Sequence, residues 1–368
     1  MGTGWQAVAG EVRAVDSAAE IPAADWDDLA GADDLYLARS WLRVAEATSG
    51  VPMTYLLAGD ERGLTSGLPT ALLGPEVPWL LGRPDTLAEH CAAEGLEGAA
   101  DFLASLSDEP CGLLMPSLVC GGRHLGRTRV LTRAGLSDAA GATERLVVAA
   151  EELMRERQAR SVAFLYVDER DSVLHQVLTA RGYASFVSSS YSWLPVPDGG
   201  FAGYTATLSR HRRHRVQAER RRLRAAGVEV RLEPLTADLV APVSAMDVSL
   251  LVKYGARATQ EQAEQTFDLI RRELGADATA VTARLHGELC GFGLVLRHYD
   301  HWYVYRCGFD YAVKGDLPVY FELLFYHLIE AASAAGASVI HYGTGSTEAK
   351  RSRGCLTTRQ HAFVMPGQ

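Results

Sequence analysis

Hydrophobic positions along the chain switch between alternation and a three-to-four-residue repeat, and the switches mark out its elements. The most ordered stretch runs from His301 to Gly354. His301–Phe309 is rich in aromatic and β-branched residues, which suit a pleated, half-buried strand. Val319, Leu323, Tyr326 and Ile329 then recur at helical spacing, and Gly336 supplies a stop. Ala337–Tyr342 reads as a short buried strand ending in Gly343-Thr344-Gly345. Strand, crossover helix and parallel strand make one right-handed unit. Ligands sit at the carboxyl ends of such strands, and here those ends carry Arg306, Asp310, His341, Tyr342 and the glycine pair. Strict alternation sets His341 with Val339 and Gly343 on one face and Tyr342 with Ile340 on the other. It likewise sets Tyr303, Tyr305 and Cys307 against Trp302, Val304 and Arg306.

The same reading extends over the rest of the chain. Ala7–Val15 is an expected strand, and Asp25–Leu29 and Ala38–Thr48 are expected helices. Met53–Gly59 and Leu64–Leu73 form an expected hairpin. A helical stretch lies within residues 86–106, and Gly112–Val119 and Arg127–Leu131 read as strands. Asp138–Gln158 carries one apolar helical face in Leu146, Ala149, Ala150, Leu153 and Met154. Ser161–Val167 is a buried strand, Ser172–Arg181 a helix and Tyr183–Leu194 a strand. Further on, Ala280–Leu285 and Leu289–Arg297 flank a turn and lead into the His301 strand. The order of elements repeats, so the expected fold is α/β with two domains. They cover 1–200 and 201–368, each a mixed twisted sheet flanked by helices. Between them Ser209–Gly227 reads as an arginine-rich bridging helix, with Leu208, Val216 and Leu223 as its apolar stripe.

The chain's 368 residues suit two domains, and 48% hydrophobic residues suffice for their cores. A net charge of −9 excludes a protein that coats nucleic acid over its whole surface. Basic charge is concentrated locally. Arg210, Arg212, Arg213, Arg215, Arg220, Arg221, Arg222 and Arg224 all fall in the one helix. Six scattered cysteines form no metal-ligand pattern, so no metal is expected and free thiols are. No apolar run matches a leader or a membrane span, so the expected location is cytoplasmic and no membrane contact is expected.

Polar groups crowd both strand ends, which suits a functional cleft. Amide formation from an activated acyl group is the reaction that a family resemblance, carried by the motifs of the next paragraph, implies for it. That reaction needs a neutral amine, donors for the developing oxyanion and a proton for the leaving group. His341 is the candidate base, Asp310 the candidate orienting group for an amine, and Tyr342 the alternative catalytic group on the opposite face. Cys307 as a nucleophile competes with a plain buried thiol. Tyr303, Tyr305, Arg306, Glu322, Gly343 and Lys350 are candidate substrate-binding residues, with Glu322 also suiting a solvated helix face and Lys350 a helix cap. Arg212, Arg213, Arg215 and Arg220 form a candidate dock for a phosphate-bearing donor.

Ala206-Thr207-Leu208-Ser209 followed by the arginine-rich helix resembles a pattern of FemAB-like proteins and their relatives with tandem GNAT acyltransferase domains. Trp26 and Leu29, Arg39-Ser40-Trp41-Leu42 and Tyr55-Leu56-Leu57-Ala58 fit the opening of that pattern. Tyr342-Gly343-Thr344-Gly345, Lys350 and Arg353-Gly354 fit its end. The resemblance implies two GNAT-like domains and acyl or aminoacyl transfer to an amine. One departure matters. Acyl-CoA enzymes of this superfamily carry a Q/R-x-x-G-x-G/A loop whose backbone amides cradle pyrophosphate. Here Phe309–Pro318 has one glycine, two acidic residues and a proline. Cys120–Gly126 has three glycines in another order. The expectation is therefore no tightly bound cofactor, and a phosphopantetheine thioester on an acyl carrier protein as donor rather than free CoA. The acceptor would be a small-molecule amine in natural-product biosynthesis. Aminoacyl-tRNA is the alternative donor, and a non-catalytic binding module of GNAT fold the alternative role.

Overall fold

The computed structural model describes residues 11–122, 126–253 and 257–367. Ala7–Gly10 of the first expected strand and Arg123–Leu125 of the three-glycine stretch lie outside them. The chain divides into two compact units. One runs up to Tyr191 and regains the chain from Thr358; the other is Ser192–Thr357.

In the first unit, β1 (Val12–Val15), β2 (Met53–Asp60), β3 (Gly63–Leu73) and β4 (Ser117–Cys120) are consecutive antiparallel neighbours. The short β5 (Leu131–Thr132) pairs beside β3. A helix, Ala139–Glu156, crosses over to β6 (Ser161–Asp168), which runs parallel to β4. Asp138 starts that helix by accepting the Gly141 N–H. Leu146, Val147, Ala150 and Leu153 bury its apolar face against Leu56, Leu68, Leu118 and Phe164. The helix Ser172–Ala180 then leads to β7 (Ala184–Pro195). The expected strand over Gly112–Val119 begins only at Ser117, because Pro110 opens a short helix to Leu114. Proline's missing N–H costs nothing in a first helical turn.

The second unit repeats the plan. β8 (Val228–Pro234), β9 (Ala278–Leu285), β10 (Glu288–His298) and β11 (His301–Phe309) form an antiparallel meander. A crossover helix leads to β12 (Val339–Gly343), parallel to β11, and the last residues of β7 pair antiparallel with β12. Residues 228–278, to which the hydrophobic pattern assigns nothing, hold β8 and the helices Ala237–Lys253 and Gln260–Leu274. β13 (Leu356–Pro366) leaves this unit after Thr357 and pairs with β6 in the first. A single cut at residue 200 cannot express that return.

The arginine-rich segment is a helix, Arg210–Ala225, with Ser209 accepting the Arg212 N–H at its start. Val216 and Leu223 are buried in the second unit's core with Tyr204, Leu208, Leu323 and Ile329. Its apolar stripe is thus used inside the second unit, and the bridging role expected of it is not borne out. Leu223→Ala is expected to destabilise the second unit by about 2–5 kcal/mol. Arg221→Ala, on the exposed face, is expected to change stability by less than about 0.5 kcal/mol. Denaturant melts of the two variants check this.

Candidate functional site

β11 and β12 pair only at His301–Val339, Trp302–Ile340 and Tyr303–His341. Beyond Tyr303 the strands diverge, and among the described residues β11 has no strand partner on that side. The divergence begins where β11 also bulges. Leu294 pairs with Arg306 but Val295 with Val304, so Tyr305 is the extra residue. A bulge bends its strand and reverses the facing of the residues after it. Cys307 therefore packs with Trp302, Val304 and Phe309 against the core, correcting the strict alternation that set it beside Tyr303. Burial pushes its thiol up to about 12, which makes it a poor nucleophile.

Gly308 lies on the other face, pressed by the helix Ala237–Lys253. A Cβ there would stand 2.5 Å from the Met246 carbonyl carbon. This close approach sets Asp247, buried on that helix, 3.6 Å from the Arg306 guanidinium. Burial raises the Asp247 carboxyl above its ordinary range, with Arg306 opposing. Nothing in the sequence marked Asp247, since its only signal is one acidic residue on the buried face of an apolar helix.

At the end of β12, Lys350 is buried, and its ammonium donates to the carbonyls of Tyr342 (2.7 Å), Gly343 (3.1 Å) and Thr344 (2.7 Å). Burial lowers it from 10.5 to about 8. All three donors are in use, so Lys350 fastens the strand end and the Gly343 turn, where φ is +64°. His341 and Tyr342 do face opposite ways. The His341 ring stacks on Tyr303 at 4.3 Å, and its Nε2 is 3.1 Å from Nδ1 of His301. In register with Tyr303, it is the last β12 residue paired with β11, at the point where the strands begin to diverge. Tyr342 stacks on Phe325 and donates to the Leu324 carbonyl, inside the core. That helix segment, Glu322–Tyr326, is a π turn, in which the His327 N–H reaches back to the Glu322 carbonyl. Such turns frequent functional sites.

Asp310 caps the helix Tyr311–Lys314, accepting the N–H groups of Ala312 (2.8 Å) and Val313 (3.0 Å). Glu322 is buried in an ion pair. Arg220 reaches it at 2.9 Å and Glu330 at 2.8 Å, with its guanidinium carbon 4.3 Å from the Phe201 ring centre. Of the other candidate docking arginines, Arg213 donates to the Leu208 carbonyl, Arg215 pairs with Glu219, and Arg212 is half-buried near the start of the helix. Tyr305 and Arg306 are half-buried on β11 at the bulge. The structure thus gathers Tyr305, Arg306, Gly343 and Lys350 about the strand divergence. His341 stands at the last pair before that divergence, while the Tyr342 side chain, Glu322 and Arg220 lie elsewhere.

The corresponding gap in the first unit is stitched shut. β4 pairs with β6 from Ser117 to Val119. Thr128 then takes over, its N–H donating to the Tyr166 carbonyl and its Oγ1 accepting the Tyr166 N–H. Gln360 donates to the carbonyls of Gly126 and Tyr166. On this unit a small cleft is lined by Tyr36, Trp41, Leu42, Met53 and Val119, with no charged group among its lining residues. Among the described residues no His, Cys, Asp and Glu cluster could hold a metal, and no helix is long and apolar enough to cross a membrane.

A model of the FemAB-like family, described as peptidoglycan biosynthesis/recognition, matches residues 125–365. The chain belongs to the FemAB-like family. It is accordingly an acyltransferase. The solved structure of FemX superposes with a TM-score of 0.63 at 11% identity, covering 97% of both chains. The C-terminal domain of a putative lysylphosphatidylglycerol synthetase from Agrobacterium fabrum gives 0.57 at 12%, covering 95% of this chain and 93% of that one. A tandem GNAT protein from the clavulanic acid biosynthesis pathway gives 0.56 at 12%, covering 97% and 99%. At such identities the likeness speaks for the fold, two GNAT-like domains in tandem. Comparison with curated proteins returns no match.

Arg220→Ala leaves Glu322 buried without its cation and is expected to cost about 3–5 kcal/mol. The same change at Arg212 is expected to cost well under about 1 kcal/mol. Thermal and urea unfolding of both variants measure the difference.

Proposed function

We propose that this FemAB-like protein transfers an aminoacyl group from aminoacyl-tRNA to an amine acceptor, at the divergence of β11 and β12. The observation that carries this reading is the open strand edge of β11 beyond Tyr303. Backbone N–H groups left without a strand partner can meet the charge that develops on an acyl oxygen during attack. Asp247 lies beside that edge and is the candidate acceptor of the amine's proton. Burial raises its carboxyl above the ordinary range, a direction that makes it a stronger base. In this reading the amine's electron pair attacks the acyl carbon, the bond to the ribose oxygen breaks, and the leaving oxygen regains a proton.

Charge and amides already spent limit the donor. Asp310 holds the N–H groups of Ala312 and Val313, and its carboxylate would repel a pyrophosphate there. This argues against free CoA and for no resident cofactor. A carrier-borne thioester would avoid the same obstacle. The tRNA donor is preferred because the FemAB-like resemblance implies it and because the arginine helix keeps cationic positions clear of its core stripe. The acceptor is an amine on a peptidoglycan precursor or a smaller molecule.

The test is intact mass of an amine panel after incubation with charged tRNA, charged carrier protein or acetyl-CoA. Product is expected from charged tRNA, with acetyl-CoA slower by about a hundredfold or more. Comparable turnover with acetyl-CoA would falsify the donor assignment. A second measurement concerns Asp247. Asp247→Asn is expected to lower kcat by about 10²–10⁴ while keeping or raising Tm at pH 7. The sign comes from linkage. A carboxyl raised in the folded state binds more protons there than when unfolded, so its contribution to stability is lost as pH rises through its folded value. Wild-type activity that needs the carboxylate should fall as pH drops through that same raised range, and the variant should lack this limb.

A further inference from the structure

The second unit buries two cations three residues apart, Lys350 and Arg353, at 6% and 3% exposure. They differ in how they are satisfied. Lys350 has three carbonyl acceptors. Arg353 has one hydrogen bond, from Nη1 to the Ser352 hydroxyl at 2.9 Å, and its buried Nε has no acceptor. Its guanidinium carbon stands 3.3 Å from the centre of the Phe321 ring. Among the described residues no carboxylate lies within ion-pair distance of it. Glu219, an acidic group in the same neighbourhood, is engaged by the Tyr326 hydroxyl at 2.6 Å and by Arg215 at 3.1 Å. A second buried donor is near. Tyr204 is 0% exposed and its hydroxyl has no partner. A Cβ on Gly354, the residue after Arg353, would touch the Tyr204 ring at 4.0 Å.

A guanidinium is not buried without an anion unless something else meets its charge, and a ring face alone is partial compensation. Its planar fork matches a carboxylate or phosphate through two parallel N–H donors. From these contacts we infer that Arg353, with Tyr204, is a binding subsite for one small oxyanion, the terminal carboxylate or phosphate of a ligand of this unit. Phe321 supplies the flat wall on which the guanidinium is held, and the Tyr204 hydroxyl supplies a further donor. The subsite is a feature of binding and stands apart from the transfer reaction proposed above. Its test uses no turnover, so failure of one does not decide the other.

The measurement is thermal unfolding of the full chain in phosphate, acetate or chloride at matched ionic strength. Wild type is expected to show a saturable rise in Tm with at least one oxyanion over chloride. A response to phosphate alone assigns a phosphate-bearing ligand, and one to acetate alone a carboxylate. Arg353→Met keeps the length of the side chain and its contact with Phe321. It should weaken the response by about tenfold or more, while its Tm in chloride equals or exceeds wild type because an unpaired buried charge is gone. Tyr204→Phe should weaken the response several-fold with Tm in chloride unchanged, and decides the matter if Arg353→Met does not fold. Two results overturn the inference. One is the absence of any oxyanion-specific rise in wild type. The other is an undiminished response in a folded Arg353→Met or Tyr204→Phe variant.

Discussion

Three carbonyl oxygens at the end of β12 converge on one buried ammonium, and the geometry of the second unit depends on that contact. Strands that part company leave polar backbone groups without partners, and burying such groups unpaired is costly. Lys350 meets the carbonyls of Tyr342, Gly343 and Thr344 at once. A protonated amine has three donors and a neutral one only two, so the contact itself favours the charge that burial opposes. With the end of β12 held by a side chain, β11 need not follow it. The bulge at Tyr305 turns β11 away and reorders which residues meet the core and which meet the helix bearing Asp247.

The face behind the crossover helix is held by charge. Arg220 forks onto Glu322 and Glu330 and lies over Phe201, tying the arginine helix to the π turn. The helix is therefore two things along its length. Positions Val216, Arg220 and Leu223 are committed to the second unit's interior, Arg222 pairs with the exposed Asp316, and the remaining arginines are left to solvent or local contacts. A cluster of like charges in a sequence does not say which members are committed, because commitment depends on which turn of the helix meets a buried carboxylate.

The two units share one plan and have used it differently. Each has an antiparallel meander, a crossover helix and one parallel strand. In the first, Thr128 and Gln360 satisfy the backbone of β6 where β4 ends, and the small cleft on that unit is apolar. In the second, the equivalent edge of β11 stays without a strand partner among the described residues, and polar side chains surround it. The contrast is chemical rather than topological, since a closed backbone offers no donors to an acyl oxygen and an open one does.

Much of the fold could be read from the chain because it is local. The period of apolar residues placed the hairpin of β2 and β3, the helix Ala139–Glu156, and the run from β11 through the crossover helix to β12. Gly343 was legible as a residue of a strand end, whereas Lys350 read as a substrate contact or helix cap, and only folding brought its ammonium back to the end of β12. The remainder depended on contacts between distant residues. Alternation fails at a bulge, so only pairing with β10 could show that Cys307 turns to the core. Asp247 and Tyr204 carry no motif, and Arg353 entered only as part of a family pattern; all three matter because folding buries them beside particular partners. His341 resembled a base in sequence, and only its register showed that it sits at the last strand pair, stacked on Tyr303 and bonded to His301. Periodicity is a property of neighbours along the chain, whereas burial, pairing and unmet charge belong to neighbours in space.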